Sequence, residues 1–367
     1  MSPSDFSPAR ARQAIRRGLL TVAISVILLG ICVFAIAQSD LGREAVQDLL
    51  TRARPGYLFI SWVSISAAFF FMGLRWRALM PPAHRPPAAG LSAIICAGLL
   101  LNYAVPGPFG ELGAAWFAER RYRIPLADAL ASGVAARLVG LATAAVMGVL
   151  VWAVVPLPAP EADGEIIQTA RQLVEVATVV IGIGGVALFA LAIRPGWWAG
   201  LSSSILGRFR GEGALRQSIG KLDDAIGSLA GALSRVATRG LRPYARALMW
   251  SFIGHSSVIV GISIAVLGLG GTPHLGGLAF TYATTTAGAV ALFALPGSQV
   301  GWDALFVALL VATAGLSTSD ALAIALLVRV QQLSLMVLGA LSLTWLLNSM
   351  GREAEGSEGA EDANAET

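Results

Sequence analysis

Four ionisable residues fall inside otherwise apolar stretches of this sequence: Glu111, Arg137, Asp303 and Arg329. A charge at bilayer depth costs roughly 2.5–3.5 kcal/mol on insertion scales, so each must be paired or sit in a wet cavity. Two chemistries suit these residue types, and they are compatible. In one, each acid pairs with an arginine and pins two segments together. In the other, the guanidinium forks present donors to a phosphate, while the acids hold the arginines or carry a proton. Spacing ties the four together. Glu111 to Arg137 and Asp303 to Arg329 are both 26 positions, and Asp128 to Arg137 and Asp320 to Arg329 are both 9. All three matches share an offset of 192, and each aspartate opens an Asp-Ala-Leu-Ala tetrad. We read this as a duplicated unit.

Each acid follows a Pro/Gly break. Asn102 leads through Pro106-Gly107-Pro108 to Gly110-Glu111, and Pro296-Gly297-Ser298-Gln299-Val300-Gly301 leads to Asp303. Proline removes a backbone donor and stops a straight helix. A segment of ten to twelve residues after such a break is too short to cross a bilayer. Residues 88–118 and 275–314 therefore read as re-entrant helical hairpins. Broken backbone at depth is tolerated where it is buried in protein or lines a cavity. The amides and helix N-termini at the tips favour anions. The candidate substrate-binding residues are thus Arg137, Arg329, Glu111, Asp303, Asn102, Gly107, Gly110, Gly297 and Gln299. Asn102 also reads as a brace for its tip.

The remaining elements must hold these residues in a membrane. The 367-residue chain is 56% hydrophobic and 13% charged, with a mean hydropathy of +0.70. That composition indicates an all-α polytopic membrane protein. Full spans are expected near 18–38, 57–80, 126–155, 174–193, 245–269 and 319–347. Residues 1–38 also resemble a signal peptide, but the apolar run is long for one. Three crossings separate the hairpins, which makes the two units inverted, an arrangement found in transporters. The basic N-terminus and the basic connection 194–244 fit the cytoplasm, as does the C-terminus; the acidic loop 156–173 fits the outside. Arg75-Trp76-Arg77 reads as an aromatic and basic interface anchor. Residues 349–367 read as a disordered acidic tail.

Several features have plainer readings. Leu215, Ile219, Leu222, Ile226, Leu229, Leu233 and Val236 form one apolar stripe, which suits a helix on the membrane surface or under the bundle. A coiled-coil contact with a partner is the sharper alternative, and a flexible gate is the third. His255 lies within a span, where a hydrogen-bonded packing histidine competes with a proton carrier. Thr281, Thr284, Thr285 and Thr286 suit helix packing. Cys32 and Cys96 read as packing residues. The sequence carries no metal-ligand cluster, nucleotide loop or nucleophile-base pair, so no cofactor, metal or nucleic-acid partner is expected.

The run Asn102-x3-Pro106-Gly107-x2-Gly110-Glu111, with Arg137 and the later Pro296-Gly297-x3-Gly301-x-Asp303, resembles the lysylphosphatidylglycerol synthase transmembrane region, a flippase-like membrane domain family. The resemblance covers about 15–348. It implies a lipid-handling domain that binds a phosphate-bearing headgroup. Two positions depart from the family pattern. Leu112-Gly113-Ala114-Ala115 stands where many members carry an arginine, and Pro108 stands where many carry a basic residue. The short tail after the last span leaves no soluble aminoacyl-transferring domain, so synthesis of the lysyl lipid is not expected.

The expected function is therefore a stand-alone lipid flippase or transporter of a bacterial cytoplasmic membrane, whose cargo is a membrane phospholipid or a polyprenyl-phosphate lipid. Two alternatives stand beside it. One is a membrane enzyme acting on a lipid-linked substrate, with Asp40, Glu44 and Asp48 as candidate groups. The other is a non-catalytic partner of a lipid-pathway enzyme, using the 215–236 stripe.

Overall fold

A computed structural model describes residues 51–104, 109–158, 233–292 and 298–365 continuously, with isolated residues and short runs between 43 and 47, 178 and 204, and 230 and 231. The expected first span at 18–38, residues 105–108 and 293–297 of the hairpin tips and most of the 215–236 stripe lie outside the described residues. Among the described residues there is no strand.

Eight helices have defined bounds. Helix α1 (Pro55–Leu79) starts on proline, whose missing N–H is not needed in a first turn. Helices α2 (Ala88–Ala104) and α3 (Phe109–Tyr122) flank the first Pro/Gly break, and α4 (Leu126–Val154) follows. Helices α5 (Leu241–Gly268), α6 (Leu275–Leu292), α7 (Ser298–Ala314) and α8 (Thr318–Ala365) repeat the order. Helices α1, α4, α5 and the Thr318–Leu346 part of α8 are long and apolar enough to cross a membrane. The four hairpin arms are 17, 14, 18 and 17 residues long. The chain is an all-helical membrane protein.

One difference from the sequence reading lies at the end of the chain. Composition gives disorder over 349–367, whereas the backbone of α8 is helical to Ala365. Extending an existing helix needs no new nucleus, and the stretch is rich in alanine and glutamate, which are good helix formers.

The two groups of four match in detail. The turn into the last helix holds a left-handed residue in each, Arg123 at φ 53° and Gly315 at φ 68°, again 192 positions apart. Helix α1 packs antiparallel on α5, its counterpart. Tyr57 lies beside Gly268, Ile65 beside Gly261 and Phe71 beside Gly254. The Ser64 hydroxyl donates to the Ser257 carbonyl at 2.7 Å, and Phe71 stacks on Trp250. The hairpins are exchanged between groups: α2 packs on α8, and α6 on α4. In the first contact Gly339 meets Cys96 and Leu100; in the second Gly148 meets Ala283 and Thr284.

Two apolar cores follow from this exchange. One gathers Trp76, Leu91, Phe117, Ala135 and Tyr244. The other gathers Ile65, Val266, Leu278, Phe306 and Leu326. They sit at opposite ends of the α1–α5 pair. Leu233 and Val236, the described members of the stripe, are buried in the first core.

The two exchanged contacts differ in tolerance. A Cβ on Gly339 would lie 2.6 Å from the Cys96 carbonyl oxygen, which is backbone and cannot swing away, whereas one on Gly148 would meet the Ala283 Cβ at an ordinary 3.4 Å. Gly339→Ala is expected to cost about 1–3 kcal/mol, the usual range for overpacking. Gly148→Ala should leave stability unchanged. Thermal unfolding of the purified protein in detergent compares the two.

Candidate functional site

Each duplicated acid meets the arginine of its own unit. Glu111, in the first turn of α3, forms an ion pair with Arg137 of α4. Asp303 of α7 pairs with Arg329 of α8. The second duplicated acid of each unit reaches across to the other unit. Asp128 pairs at 3.4 Å with Arg235, which precedes α5, and Asp320 pairs at 3.0 Å with Arg52, which precedes α1. Both aspartates sit in first helical turns, as their sequence positions suggest. Ser317 and Asp320 also bond reciprocally at the start of α8. Arg52 further donates to the Leu269 carbonyl at the end of α5.

The two central pairs have diverged. Arg329 is closed in on every side. Its Nε donates to both Asp303 oxygens, at 2.7 and 2.9 Å, and one terminal nitrogen donates to Gln332 Oε1 at 2.7 Å. Its guanidinium lies 5.1 Å from the centre of the Trp302 ring, and its side chain is 5% exposed. That set of partners pins α7 to α8. The Arg137 side chain, by contrast, is 39% exposed and that of Glu111 is 22% exposed. Both face a cavity of about 360 Å³ that draws its walls from α1 to α6.

Most of the cavity wall is apolar, with Phe69, Leu99, Val134 and Trp250 among its residues. Its polar groups are Arg75, Glu111, Arg137, Ser251, His255 and Tyr282, with Thr286 beside them. His255 is bonded at both nitrogens. Nε2 lies 2.9 Å from the Gly140 carbonyl, which can only accept, so Nε2 carries the proton. Nδ1 then accepts from the Tyr282 hydroxyl at 3.0 Å. The neutral ring satisfies both partners, which is the packing role rather than that of a proton carrier. Thr281 and Thr285 are buried and bond to Thr313 and to the Thr281 carbonyl, in keeping with helix packing.

Arg75 is the functional candidate that sequence reasoning missed. The Arg75-Trp76-Arg77 run looks like an interface anchor, but only Arg77 is exposed. Arg75 and Trp76 are buried, and the Trp76 indole donates to Ser132. Residues i and i+2 lie on different sides of a helix, so the run splits between surface and interior. That angular separation was the available signal.

The remaining predicted residues divide. Gly110 is buried on the cavity wall, where α2 and α3 approach closely enough that a Cβ on Gly98 would meet its carbonyl at 2.8 Å. Asn102 and Gln299 lie on α2 and α7, and their side chains are outside the described residues. Gly107 and Gly297 are outside them altogether, as are Asp40, Glu44 and Asp48.

A sequence profile of the lysylphosphatidylglycerol synthase TM region matches residues 19–340, and the chain belongs to that family. No curated protein and no solved structure gives a significant match.

The divergence of the pairs sets opposite expectations for stability. Asp303→Ala strands the buried Arg329 and should cost about 3–5 kcal/mol. Glu111→Ala leaves a partly exposed arginine at the cavity and should cost less than Asp303→Ala. Denaturation of both variants in detergent tests the contrast.

Proposed function

We propose that this membrane domain, as a member of a lipid-handling family, moves a phosphate-bearing lipid between leaflets of the cell membrane. The observation that carries the reading is the cavity before Glu111 and Arg137, apolar over most of its wall and charged in one region. Such a surface suits an amphiphile: headgroup at the guanidinium, chains along the apolar side. Arg137 is the arginine open to a headgroup, because its side chain is 39% exposed where that of Arg329 is 5% exposed. The Asp303–Arg329 pair holds the second unit rigid beside it.

The antiparallel α1–α5 pair and the exchanged hairpins support an inverted repeat. In that arrangement one unit rocks against the other around a site near the midplane. The basic segment carrying Arg235, Arg239 and Arg242 lies at the end of the bundle where α1 finishes. There Arg239 donates to the Leu79 carbonyl at 2.7 Å. That end is the cytoplasmic one on the rule that arginine-rich connections stay inside.

The test is lipid movement in proteoliposomes that contain fluorescent phosphatidylglycerol, read by quenching of outer-leaflet label. Wild type should move the lipid faster than protein-free vesicles. Arg137→Ala should abolish the gain while its melting temperature stays near that of wild type. Equal rates for wild type and empty vesicles would overturn the reading.

A further inference from the structure

Arg75 is a buried cation whose only protein hydrogen-bond partner among the described residues is neutral. Its side chain enters the cavity from α1. The residue is 8% exposed, one terminal nitrogen donates to the Ser251 hydroxyl at 3.0 Å, and the buried Nε has no partner among the described residues. No described carboxylate pairs with it. A charge held this way is costly: a buried ion needs an opposite charge or several good hydrogen bonds, and one hydroxyl supplies neither.

The surroundings are built to admit it nonetheless. Position 140 of α4 is glycine, and a Cβ there would lie 2.2 Å from the terminal nitrogen of Arg75. The same Gly140 accepts the hydrogen bond from His255, so the backbone at this point is fixed from the other side. Gly140 follows Arg137 by three positions, which places both on one face of α4. Arg75 and Arg137 thus meet the cavity in the same region, one from α1 and one from α4. Glu111 offsets one of the two positive charges, and His255 is bonded as the neutral ring. Among the described residues of the cavity wall, one positive charge is left over.

We propose that Arg75 is the primary anion ligand of the cavity, and that the site takes a singly charged phosphodiester bridged between Arg75 and the Arg137–Glu111 pair. Arg75 offers its terminal N–H groups to the anion as a fork. Arg137 supplies the second side of the cradle without having to leave Glu111. The charge balance favours one negative charge over two, which distinguishes a phosphodiester from a terminal phosphate group. The phosphodiester is a lipid headgroup if the translocation reading holds, on which this assignment of source rests; the monoanion of free phosphate shares the charge and is separated below.

The test is binding to the purified protein in detergent, measured by native mass spectrometry and by calorimetry. The probes are short-chain phosphatidylglycerol, short-chain phosphatidic acid, diacylglycerol of the same chain length, and inorganic phosphate. Wild type should bind phosphatidylglycerol, prefer it to phosphatidic acid, and ignore diacylglycerol. Arg75→Gln should weaken phosphatidylglycerol about tenfold or more, the loss expected for a charge-assisted hydrogen bond. Arg75→Lys should recover part of that loss, since it keeps the charge but not the fork. Because Arg75→Gln removes a buried charge that no described carboxylate offsets, it should melt no lower than wild type, which separates lost binding from lost folding.

Unchanged phosphatidylglycerol affinity in Arg75→Gln, with loss in Arg137→Gln, would overturn the Arg75 assignment and leave the translocation reading standing. Strong binding of inorganic phosphate that displaces the lipid and depends on Arg75 would keep the anion site and remove the lipid as its source. No anion binding by wild type would overturn both.

Discussion

A guanidinium in the interior of a membrane protein must find an opposite charge or a dense set of acceptors, and the rest of this structure is arranged around that demand. Arg329 meets it in full. Both oxygens of its carboxylate partner accept from Nε, a terminal nitrogen reaches a glutamine, and an aromatic face covers it. The result is a joint that fixes the hairpin arm α7 against α8. Arg137 meets the demand through the Glu111 carboxylate at the edge of a cavity. Arg75 meets it least of all, through a serine hydroxyl. The three arginines form a series from closed to open, and the open end coincides with the cavity.

One chain holds both extremes. The two units share one spacing of acid and arginine but surround it with different neighbours. Trp302 and Gln332 close the second site. In the first copy, Gly110 and Gly140 keep the surroundings of the pair thin, and both lie on the cavity wall. The exchange of hairpins makes this divergence possible. Because α6 packs on α4 and α2 on α8, each unit supplies a wall for the other, and no unit has to bury its own hairpin alone.

Much of this was legible in the sequence. The 26-residue spacing carried both ion pairs, because an acid in the first turns after a break and an arginine in the following span lie within reach when the arms fold back. The Pro/Gly breaks fell between α2 and α3 and between α6 and α7. Arg75 was not legible as an interior residue, since its neighbours Trp76 and Arg77 give the run the composition of a membrane interface. What decides its fate is tertiary: Ser251 and Gly140 sit on helices far away in the chain, and one sequence does not pair them. The exchanged packing of the hairpins was hidden for the same reason. The backbone helix over the acidic tail shows composition yielding to the continuity of an existing helix.

In the proposed translocation the first unit holds the headgroup site while the second is a structural joint. The most direct measurement is an experimental density map of the protein in lipid nanodiscs. Headgroup density is expected in the cavity between Arg75 and Arg137, with none beside Arg329. Headgroup density at Arg329, or a cavity holding acyl chains alone, would contradict it.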